Sequence, residues 1–257
     1  MNEPGEKLLA AGELSPVTVF NETGASPFLI VADHAGNHVP RALAGLGLPQ
    51  AELNRHIGWD IGIAGVCRAL AEALDAVVVQ QNYSRLVIDC NRTPGSETSI
   101  ATISELTPVP GNTGLSDGQK AAREREIFRP YHDRIEMELA GRHLAGRPAM
   151  LIAMHSFTPR FMDVARPWHA GVLYNRDARF AHLLMALLKS EAGLTVGDNE
   201  PYSVTDATDY TIPVHGERRG LHHVAIEIRQ DLIASAKGQQ EWATLLARLL
   251  RQVYRRL

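Results

Sequence analysis

The sequence of 257 residues predicts a three-layer α/β/α protein with a central mixed, mostly parallel sheet. Short, continuous apolar runs such as Phe28–Ala32 are typical of strands that are buried on both faces. Longer stretches with apolar residues at helical spacing, such as Arg179–Leu194, alternate with these runs along the chain. Polar residues directly follow several of the runs, where open α/β sheets bind their ligands. The sequence shows no internal repeat, and we expect a single domain over residues 1–257.

Seven short runs are predicted to be strands. In chain order they are Val17–Phe20, Phe28–Ala32, Ala76–Val79, Leu86–Ile88, Ala149–Met154, Gly171–Tyr174 and Val224–Ile228. The turn Asn21–Pro27 separates the first two runs, and Gln80–Arg85 is a polar connection between the third and the fourth.

Four stretches have the apolar spacing of helices. They are Ala51–Leu74, Asp117–Leu144, Arg179–Leu194 and Gln239–Leu257. The first fits one or two helices. Ser116 is a suitable N-cap for the second, and Pro130 predicts an interruption or a kink within it. Residues 1–16 form a leading segment, while 92–115 and 197–220 are polar and irregular. An irregular stretch as long as 92–115 is more often a functional loop than a linker.

Composition narrows the classes of function. Hydrophobic residues make up 45% of the chain and charged residues 21%, as in an ordinary globular protein. The net charge of −3 gives no reason to propose nucleic acid or an anionic membrane as a partner. Two cysteines, Cys67 and Cys90, exclude a disulfide framework and a multi-cysteine metal site. No stretch has a signal-peptide or membrane-spanning pattern, so a cytoplasmic protein is the simplest expectation.

Ionisable residues lie at the ends of three predicted strands. Asp33 and His34 follow the second strand, His155 follows the fifth, and Glu227 lies inside the last. The strand fixes the backbone of such a histidine, while the loop leaves its imidazole free to bind a metal or to move a proton. Two histidines, a carboxylate ligand and a separate glutamate base are the parts of a metal-assisted hydrolase.

Each of these residues also has a structural interpretation. Glu227 lies in an otherwise apolar strand, and a buried carboxylate must be paired, hydrogen-bonded, protonated or metal-bound. Arg229 lies two residues further on, on the same face of the strand, so a structural ion pair between the two is an alternative. A loop histidine is likewise more often exposed or hydrogen-bonded than a ligand.

A further candidate segment, YSRLVIDCNR, carries two arginines around a short apolar run. Arg85 and Arg92 can hold a carboxylate in a bidentate fork, and Asn91 can add an amide donor beside it. These residues are therefore candidates to bind an acidic ligand. The alternative is an arginine that pairs with Asp89 or Asp60 inside the protein.

Five segments together resemble the N-formylglutamate amidohydrolase family. They are HAGNHVP from His34, WDIG from Trp59, YSRLVIDCNR from Tyr83, MHSFTP from Met154 and EIRQDL from Glu227. Each alone is unspecific, but together they are specific, and they span nearly the whole chain. The family is related to the zinc carboxypeptidases and aspartoacylases. The resemblance therefore implies a mixed sheet between helices and one catalytic zinc ion.

The resemblance also implies roles for individual residues. His34 and His155 correspond to zinc ligands, and Glu227 corresponds to the general base. Asn91 and Arg92 correspond to the pair that holds the substrate carboxylate in the relatives.

The remaining metal ligand departs from the carboxypeptidase pattern. Carboxypeptidases have His-x-x-Glu, whereas the third residue after His34 is Asn37, and an amide is a poor zinc ligand. Another carboxylate should complete the site, and Asp60 in the WDIG segment is the candidate. Asp33 and His38 are the next alternatives.

The implied reaction is the hydrolysis of N-formyl-L-glutamate to formate and glutamate, so the implied partner is a small N-acyl amino acid. Arg85 would help to hold the substrate carboxylate. The polar loop Tyr202–Arg219 could close over the site with Tyr210 and His215 as contacts, although ordinary loop roles for both residues stay open. Other open alternatives are another N-acyl amino acid as substrate, a carboxypeptidase-like enzyme, and a metal-free carboxylate-binding relative without catalysis.

Overall fold

Residues 7–257 are described by a computed structural model, and they fold around one seven-stranded sheet. The strands in this range are β1 (Val17–Phe20), β2 (Phe28–Ala32), β3 (Val77–Gln81), β4 (Ile103–Ser104), β5 (Thr107–Pro108), β6 (Met150–Phe157), β7 (Arg160–Phe161), β8 (Val164–Ala165), β9 (Ala170–Leu173), β10 (Val196–Asp198) and β11 (His222–Arg229). Across the sheet they lie in the order β1-β3-β2-β6-β11-β9-β10. The pairs β2–β3, β2–β6, β6–β11 and β9–β10 are parallel, whereas β1–β3 and β9–β11 are antiparallel. The predicted mixed, mostly parallel sheet is confirmed.

Helices cover both faces of the sheet. In the described part of the chain the α-helices are α1 (Gln50–Leu53), α2 (Ile63–Leu74), α3 (Asp117–Arg123), α4 (Arg129–Leu144), α5 (Arg179–Lys189) and α6 (Ala236–Tyr254). The π-helical turns are Glu124–Phe128 and Ile212–Gly216, and the 3₁₀ turns are Arg41–Gly47, Pro110–Asn112, Glu217–Arg219 and Gln230–Leu232. Helices α2, α5 and α6 pack on one face and α4 on the other, which confirms the three layers. Within residues 7–257, no helix combines the length and the apolar character that a bilayer crossing requires.

Alternate residues of the central strands point toward the two helical layers. Ile30, Ile152 and Ile226 belong to the core on the side of α2, α5 and α6. Leu29 and Leu151 belong to the core on the side of α4. Full burial of one such side chain stabilises the fold by about 1.5–3 kcal/mol. Strands that are apolar on both faces therefore lie in the middle of the three layers.

One strand prediction is wrong. The predicted strand Leu86–Ile88 is a turn whose apolar side chains belong to the core on the α4 side. Side chains rather than a neighbouring strand satisfy its carbonyl groups. Asn112 Nδ2 donates to Leu86 O at 2.8 Å, and the buried Arg123 donates to Val87 O at 2.9 Å.

Several predicted boundaries shift. Strand β10 overlaps the first residues of the predicted irregular segment 197–220. Strand β6 extends to Phe157, so His155 lies within the strand rather than after it. Helix α5 ends at Lys189, five residues earlier than the apolar stripe indicates. Of the leading segment, residues 1–6 lie outside the described range.

The predicted helix Asp117–Leu144 begins where the sequence indicates, but it is interrupted earlier than predicted. Ser116 Oγ accepts from Gln119 N, and the Gln119 side chain accepts from Ser116 N, which makes a complete capping box. The π-helical turn Glu124–Phe128 interrupts the helix before Pro130. Pro130 then lies in the first turn of α4, directly after this π-helical turn.

The loops that follow β2 and β3 lie side by side beneath the candidate site. His38 N donates to Asn82 O, and Ser84 N donates to His38 O. At Gly36 the two backbones approach so closely that a Cβ atom would stand 2.0 Å from Asn82 O. Only glycine leaves room for this contact, which holds the loop that carries His34.

We expect the substitution Gly36→Ala to destabilise the protein. A methyl group would have to displace backbone on the facing loop, so we expect a loss of about 1–3 kcal/mol in the free energy of unfolding. Gly141→Ala is the matched control, because its Cβ would meet no atom within 4 Å on the exposed side of α4, near the end of that helix. This control should gain about 0.5–1 kcal/mol. Urea denaturation of both variants measures the difference, and equal stability of the Gly36→Ala variant and the unsubstituted protein would contradict the packing argument.

Candidate metal centre and active site

Three adjacent parallel strands bring ionisable side chains to one edge of the sheet. In the register of β6 and β11, His155 is the direct neighbour of Glu227. Asp33 and His34 follow the end of β2, which pairs with the other side of β6. All four residues are buried. His34, His155 and Glu227 line one cavity, although they are far apart in the sequence.

The His34 imidazole is held at one nitrogen and free at the other. Its Nε2 lies 2.7 Å from Asp89 Oδ1, so this carboxylate fixes the proton on Nε2. Its Nδ1 is buried, has no hydrogen-bond partner in residues 7–257, and lies 3.5 Å from Asp60 Oδ2. The lone pair of Nδ1 is therefore available to a metal ion beside Asp60.

His155 lies on the opposite side of Asp60, and its hydrogen bond within the described chain is at Nδ1 rather than at Nε2. Its Nε2 lies 3.3 Å from Asp33 Oδ2, and its Nδ1 lies 3.0 Å from Asp60 Oδ2. The ring centroids of His34 and His155 are 5.2 Å apart. Both histidines thus face the same carboxylate oxygen with Nδ1 and a different carboxylate with Nε2.

Asp60 completes the set of candidate ligands. It lies in the turn before α2, where its N–H donates to His34 O and its Oδ2 accepts from Ser156 N. One ligand atom from each of His34, Asp60 and His155 can be chosen so that all lie within 4.8 Å of one another. Two imidazole nitrogens and one carboxylate oxygen, each imidazole oriented by a second carboxylate, are the donor set of catalytic zinc sites. The residues present therefore fit a divalent metal ion.

The balance of charge among the buried residues of the site also favours a divalent metal ion. The cluster contains the buried carboxylates of Asp33, Asp60, Asp89 and Glu227. Arg85 forms ion pairs with two of them, Asp60 and Asp89. With both imidazoles neutral, negative charge exceeds positive charge in a region that is shielded from water, which is costly. A divalent cation bound beside Asp60 would restore the balance.

The pKa directions show where positive charge is favoured. Burial opposes charge on His34, yet Asp89 and Asp60 raise its pKa above the ordinary value. Burial likewise opposes charge on His155, but hydrogen bonds to Asp33 and Asp60 raise its pKa well above the ordinary value. Burial disfavours ionised Asp60, and the two histidines nevertheless lower its pKa. The space between Asp60 and the imidazoles therefore favours a cation.

Glu227 presents a free carboxylate oxygen beside these ligands. Its Oε2 is buried and has no hydrogen-bond partner within the described chain. Across the antiparallel pair with β9 its neighbour is Gly171, so no side chain from that strand covers the carboxylate. Burial raises the pKa of Glu227 to about 7, and Asp60 contributes to the rise while His155 opposes it. A cation in the site would favour the ionised form.

The alternative of a structural ion pair for Glu227 is wrong. Arg229 Nε donates to Asp231 Oδ1 at 2.8 Å, and this guanidinium also approaches the backbone of Trp168. Because β11 ends at Arg229, its side chain turns toward the following 3₁₀ turn rather than back along the strand.

Arg85 is bound inside the site. Its Nη2 and Nε donate to Asp89 Oδ2 at 2.7 and 3.1 Å, and its Nη1 lies 3.7 Å from Asp60 Oδ1. The internal pairing with Asp89 and Asp60, kept open as an alternative, is thus present. Arg85 also lines the cavity, and about a quarter of its side chain is exposed.

Asn91 holds the segment that covers the site. Its Oδ1 accepts from Tyr210 N and Thr211 N, and its Nδ2 donates to Asp209 Oδ1, each at 3.0 Å. Its backbone N–H donates to Asp89 Oδ1 at 2.8 Å. Both ends of the amide therefore bind the protein's own chain.

Arg92 stands beside an internal carboxylate at the cavity wall. Its Nη1 donates to Asn91 O at 3.1 Å and to Thr208 O, and it lies 3.9 Å from Asp209 Oδ1. All hydrogen bonds of its guanidinium to residues 7–257 use Nη1. Nε and Nη2 of Arg92 therefore remain available to a ligand in the cavity.

Tyr210 and His215 do not line the cavity. Tyr210 packs against Phe128 and His132, with ring centroids 5.0 and 4.6 Å apart. His215 Nε2 lies 2.9 Å from His132 Nδ1, and His132 Nε2 donates to Cys90 O. Burial lowers the pKa of His132 to about 4 and that of His215 to about 3, so both rings are neutral. The two predicted contact residues thus belong to the wall behind the site.

Two of the alternatives for the third metal ligand turn away from the site. Asn37 Nδ2 donates to Asn54 Oδ1 at the surface, and the His38 ring lies against Tyr83. The third alternative, Asp33, stands behind His155. Asp60 is the residue that approaches both imidazoles.

The cavity has a volume of about 600 Å³, which accommodates a small amino-acid derivative. Much of its lining comes from the irregular segments 92–115 and 197–220, of which the first contains the hairpin β4–β5, and Phe161 of β7 adds to it. Lining residues that sequence reasoning missed include His56, Glu105, Phe161 and Tyr202. No sequence motif identifies these residues. Glu105 and Tyr202 lie in the two irregular segments, so the length and polarity of those segments could have indicated them.

The chain is similar to proteins of one family. A sequence profile of N-formylglutamate amidohydrolase matches residues 26–234. The gene product Atu2144 from Agrobacterium tumefaciens is 35% identical; the match covers 96% of this chain and 98% of that one, with a TM-score of 0.93. N-formylglutamate amidohydrolase from Ralstonia eutropha JMP134 is 19% identical over 95% of this chain and 100% of that one, with a TM-score of 0.70. Comparison with curated proteins gives no match.

The profile match covers most of the chain and includes all five segments of the resemblance. It contains His34, Asp60, His155 and Glu227, the residues that meet at the edge of the sheet. The chain therefore belongs to the N-formylglutamate amidohydrolase family.

Proposed function

We propose that this protein is a metal-dependent hydrolase that cleaves the N-formyl amide bond of an acidic amino acid, with N-formyl-L-glutamate as the type substrate. One observation carries the proposal: His34 and His155 both direct Nδ1 at Asp60 Oδ2, next to the free carboxylate oxygen of Glu227. Membership of an amidohydrolase family supports the same class of reaction.

His34, Asp60 and His155 would hold the metal ion, for which we propose Zn²⁺. The free, buried Nδ1 of His34 is a donor that such an ion would satisfy. When bound, Zn²⁺ supplies Lewis acidity toward a carbonyl oxygen and lowers the pKa of water. Asp89 would keep the His34 imidazole in the orientation that binding requires.

Glu227 would move the proton in the reaction. Its carboxylate accepts a proton from the attacking water as the water oxygen bonds to the formyl carbon. It then delivers that proton to the amide nitrogen as the carbon–nitrogen bond breaks, which yields formate and the free amino acid. The backbone pairing of β11 with both β6 and β9 holds this carboxylate in place during the transfer.

Arg92 would bind a carboxylate of the substrate through Nε and Nη2. Arg85 is already paired with Asp89. Its positive charge would therefore mainly compensate the buried carboxylates around the metal site, and it would attract the substrate carboxylate only in addition. Asn91 would act on the substrate only through the segment that its side chain holds.

Formate release from a panel of N-formyl amino acids, with N-acetylglutamate as the comparison, tests the function. We expect zinc-loaded protein to act on N-formylglutamate, to lose activity with a chelator, and to regain it with Zn²⁺. His34→Ala should bind zinc less than stoichiometrically. Release of acetate alone would assign another acyl group. Absence of both zinc and activity in a folded protein would support the carboxylate-binding alternative.

We expect Glu227→Gln to retain zinc and substrate but to lose turnover. The amide keeps the shape of the side chain and cannot accept the proton, so kcat should fall by about 10²–10⁴-fold with KM little changed. Steady-state kinetics and zinc content by mass spectrometry measure both properties. Turnover close to that of the unsubstituted enzyme would refute the role of Glu227 as base.

We expect Arg92→Ala to raise KM for N-formylglutamate by roughly 10–100-fold, which is the cost of losing a charge-assisted hydrogen bond. The control is Asp209→Asn, which removes the internal carboxylate next to Arg92 and leaves the guanidinium in place. Its KM should stay the same or decrease, because less negative charge competes for Arg92. An equal rise of KM in both variants would show that Arg92 acts by anchoring the loop.

A further inference from the structure

Asp33 makes contacts that a simple loop residue does not need. Its side chain is fully buried, and its Oδ1 accepts from Tyr131 Oη and Thr211 Oγ1, both at 2.8 Å. Its Oδ2 lies 3.3 Å from His155 Nε2, within ion-pair distance, and has no hydrogen-bond partner among the described residues. One oxygen is thus fixed by two hydroxyl groups, and the other faces a candidate metal ligand.

The hydroxyl of Thr211 joins this contact to the other side of the site. Thr211 N donates to Asn91 Oδ1, and Asn91 N donates to Asp89 Oδ1. Asp89 in turn fixes His34. A series of hydrogen bonds therefore runs from the His34 imidazole to the Asp33 carboxylate through the segment that covers the cavity, and Asp33 Oδ2 then faces His155 Nε2 at 3.3 Å.

We propose that Asp33 is the positioning residue that keeps the proton of His155 on Nε2 and so leaves Nδ1 free for the metal, and that Tyr131 and Thr211 orient Asp33 for this purpose. The proposal rests on the proposed function, in that His155 serves as a metal ligand. It adds a role for Asp33, Tyr131 and Thr211, which lie outside the proposed set of metal ligands.

The geometry makes Asp33→Asn an informative substitution. The two hydroxyl groups donate to Oδ1 and will continue to do so with an amide, which places the NH₂ group at the position of Oδ2. An NH₂ group facing His155 Nε2 requires that nitrogen to accept. The proton must then move to Nδ1, where it blocks metal binding. The substitution changes the tautomer while it preserves the shape of the side chain.

We therefore expect Asp33→Asn to weaken zinc binding by about 10–100-fold in competition with a chromophoric chelator. Thr211→Val should weaken it by about two- to tenfold, the effect of one lost hydrogen bond, and Thr211→Ser should restore it. The Thr211 variants keep the charge of Asp33 and change only the hydrogen bond that orients its carboxylate. They therefore distinguish the effect of that orientation on zinc binding from the effect of the negative charge. Glu105→Gln removes a cavity carboxylate that pairs with Arg55 and His56, outside the series, and it should bind zinc like the unsubstituted protein.

Thermal unfolding in excess chelator shows whether the fold is intact without metal. If Asp33→Asn melts far below the unsubstituted protein, the comparison of Thr211→Val with Thr211→Ser carries the test. If the Asp33 and Thr211 variants bind zinc as tightly as the unsubstituted protein while His155→Ala loses zinc, the positioning role of Asp33 is overturned. The proposed metal site would still be supported by that result. Unchanged zinc binding by His155→Ala would instead overturn the proposed metal site itself.

Discussion

One oxygen of the buried Asp60 carboxylate lies 3.0 Å from His155 Nδ1 and 3.5 Å from His34 Nδ1, and the surrounding structure is arranged around this shared contact. A carboxylate in such a position is costly unless cations or donors surround it. Asp33 and Asp89 add further negative charge behind the two imidazoles. The site therefore combines ligands that are oriented in advance with a charge that a metal ion would compensate.

The sheet and the loops contribute to this arrangement in different ways. His155 and Glu227 lie on neighbouring strands that pair along eight residues, so their separation is fixed by backbone hydrogen bonds. Asp60 and Asp89 come from turns, and turns need side-chain contacts to hold them. Buried polar groups such as Arg123, which donates to the turn at Val87, supply such contacts. The apolar core on both faces of the sheet provides the stability that offsets the burial of so many polar groups.

Most of the sheet could be predicted from the sequence, because apolar runs report burial on both faces directly. The turn at Leu86–Ile88 was mistaken for a strand because its side chains are buried in the same way, while its carbonyl partners lie far along the chain. Asp60 could be named from the resemblance, but its position between two imidazoles depends on contacts across about 26 and 95 residues. The roles of Asn91 and Tyr210 could not be predicted, since they depend on how the irregular segment 197–220 folds back.

The division between sheet and loops also separates chemistry from specificity. His34, His155 and Glu227 are placed at or near the ends of buried strands, where a change of backbone position would disturb the core. Arg92, Tyr202 and Glu105 line the same cavity from irregular segments and from the turn between β4 and β5, where residues can change with little effect on the core. In the proposed enzyme, substitutions at these positions would alter the substrate preference and leave the candidate metal ligands in place. Asp209 would contribute to this preference, because its carboxylate lies 3.9 Å from Arg92 Nη1 and would compete with a substrate carboxylate.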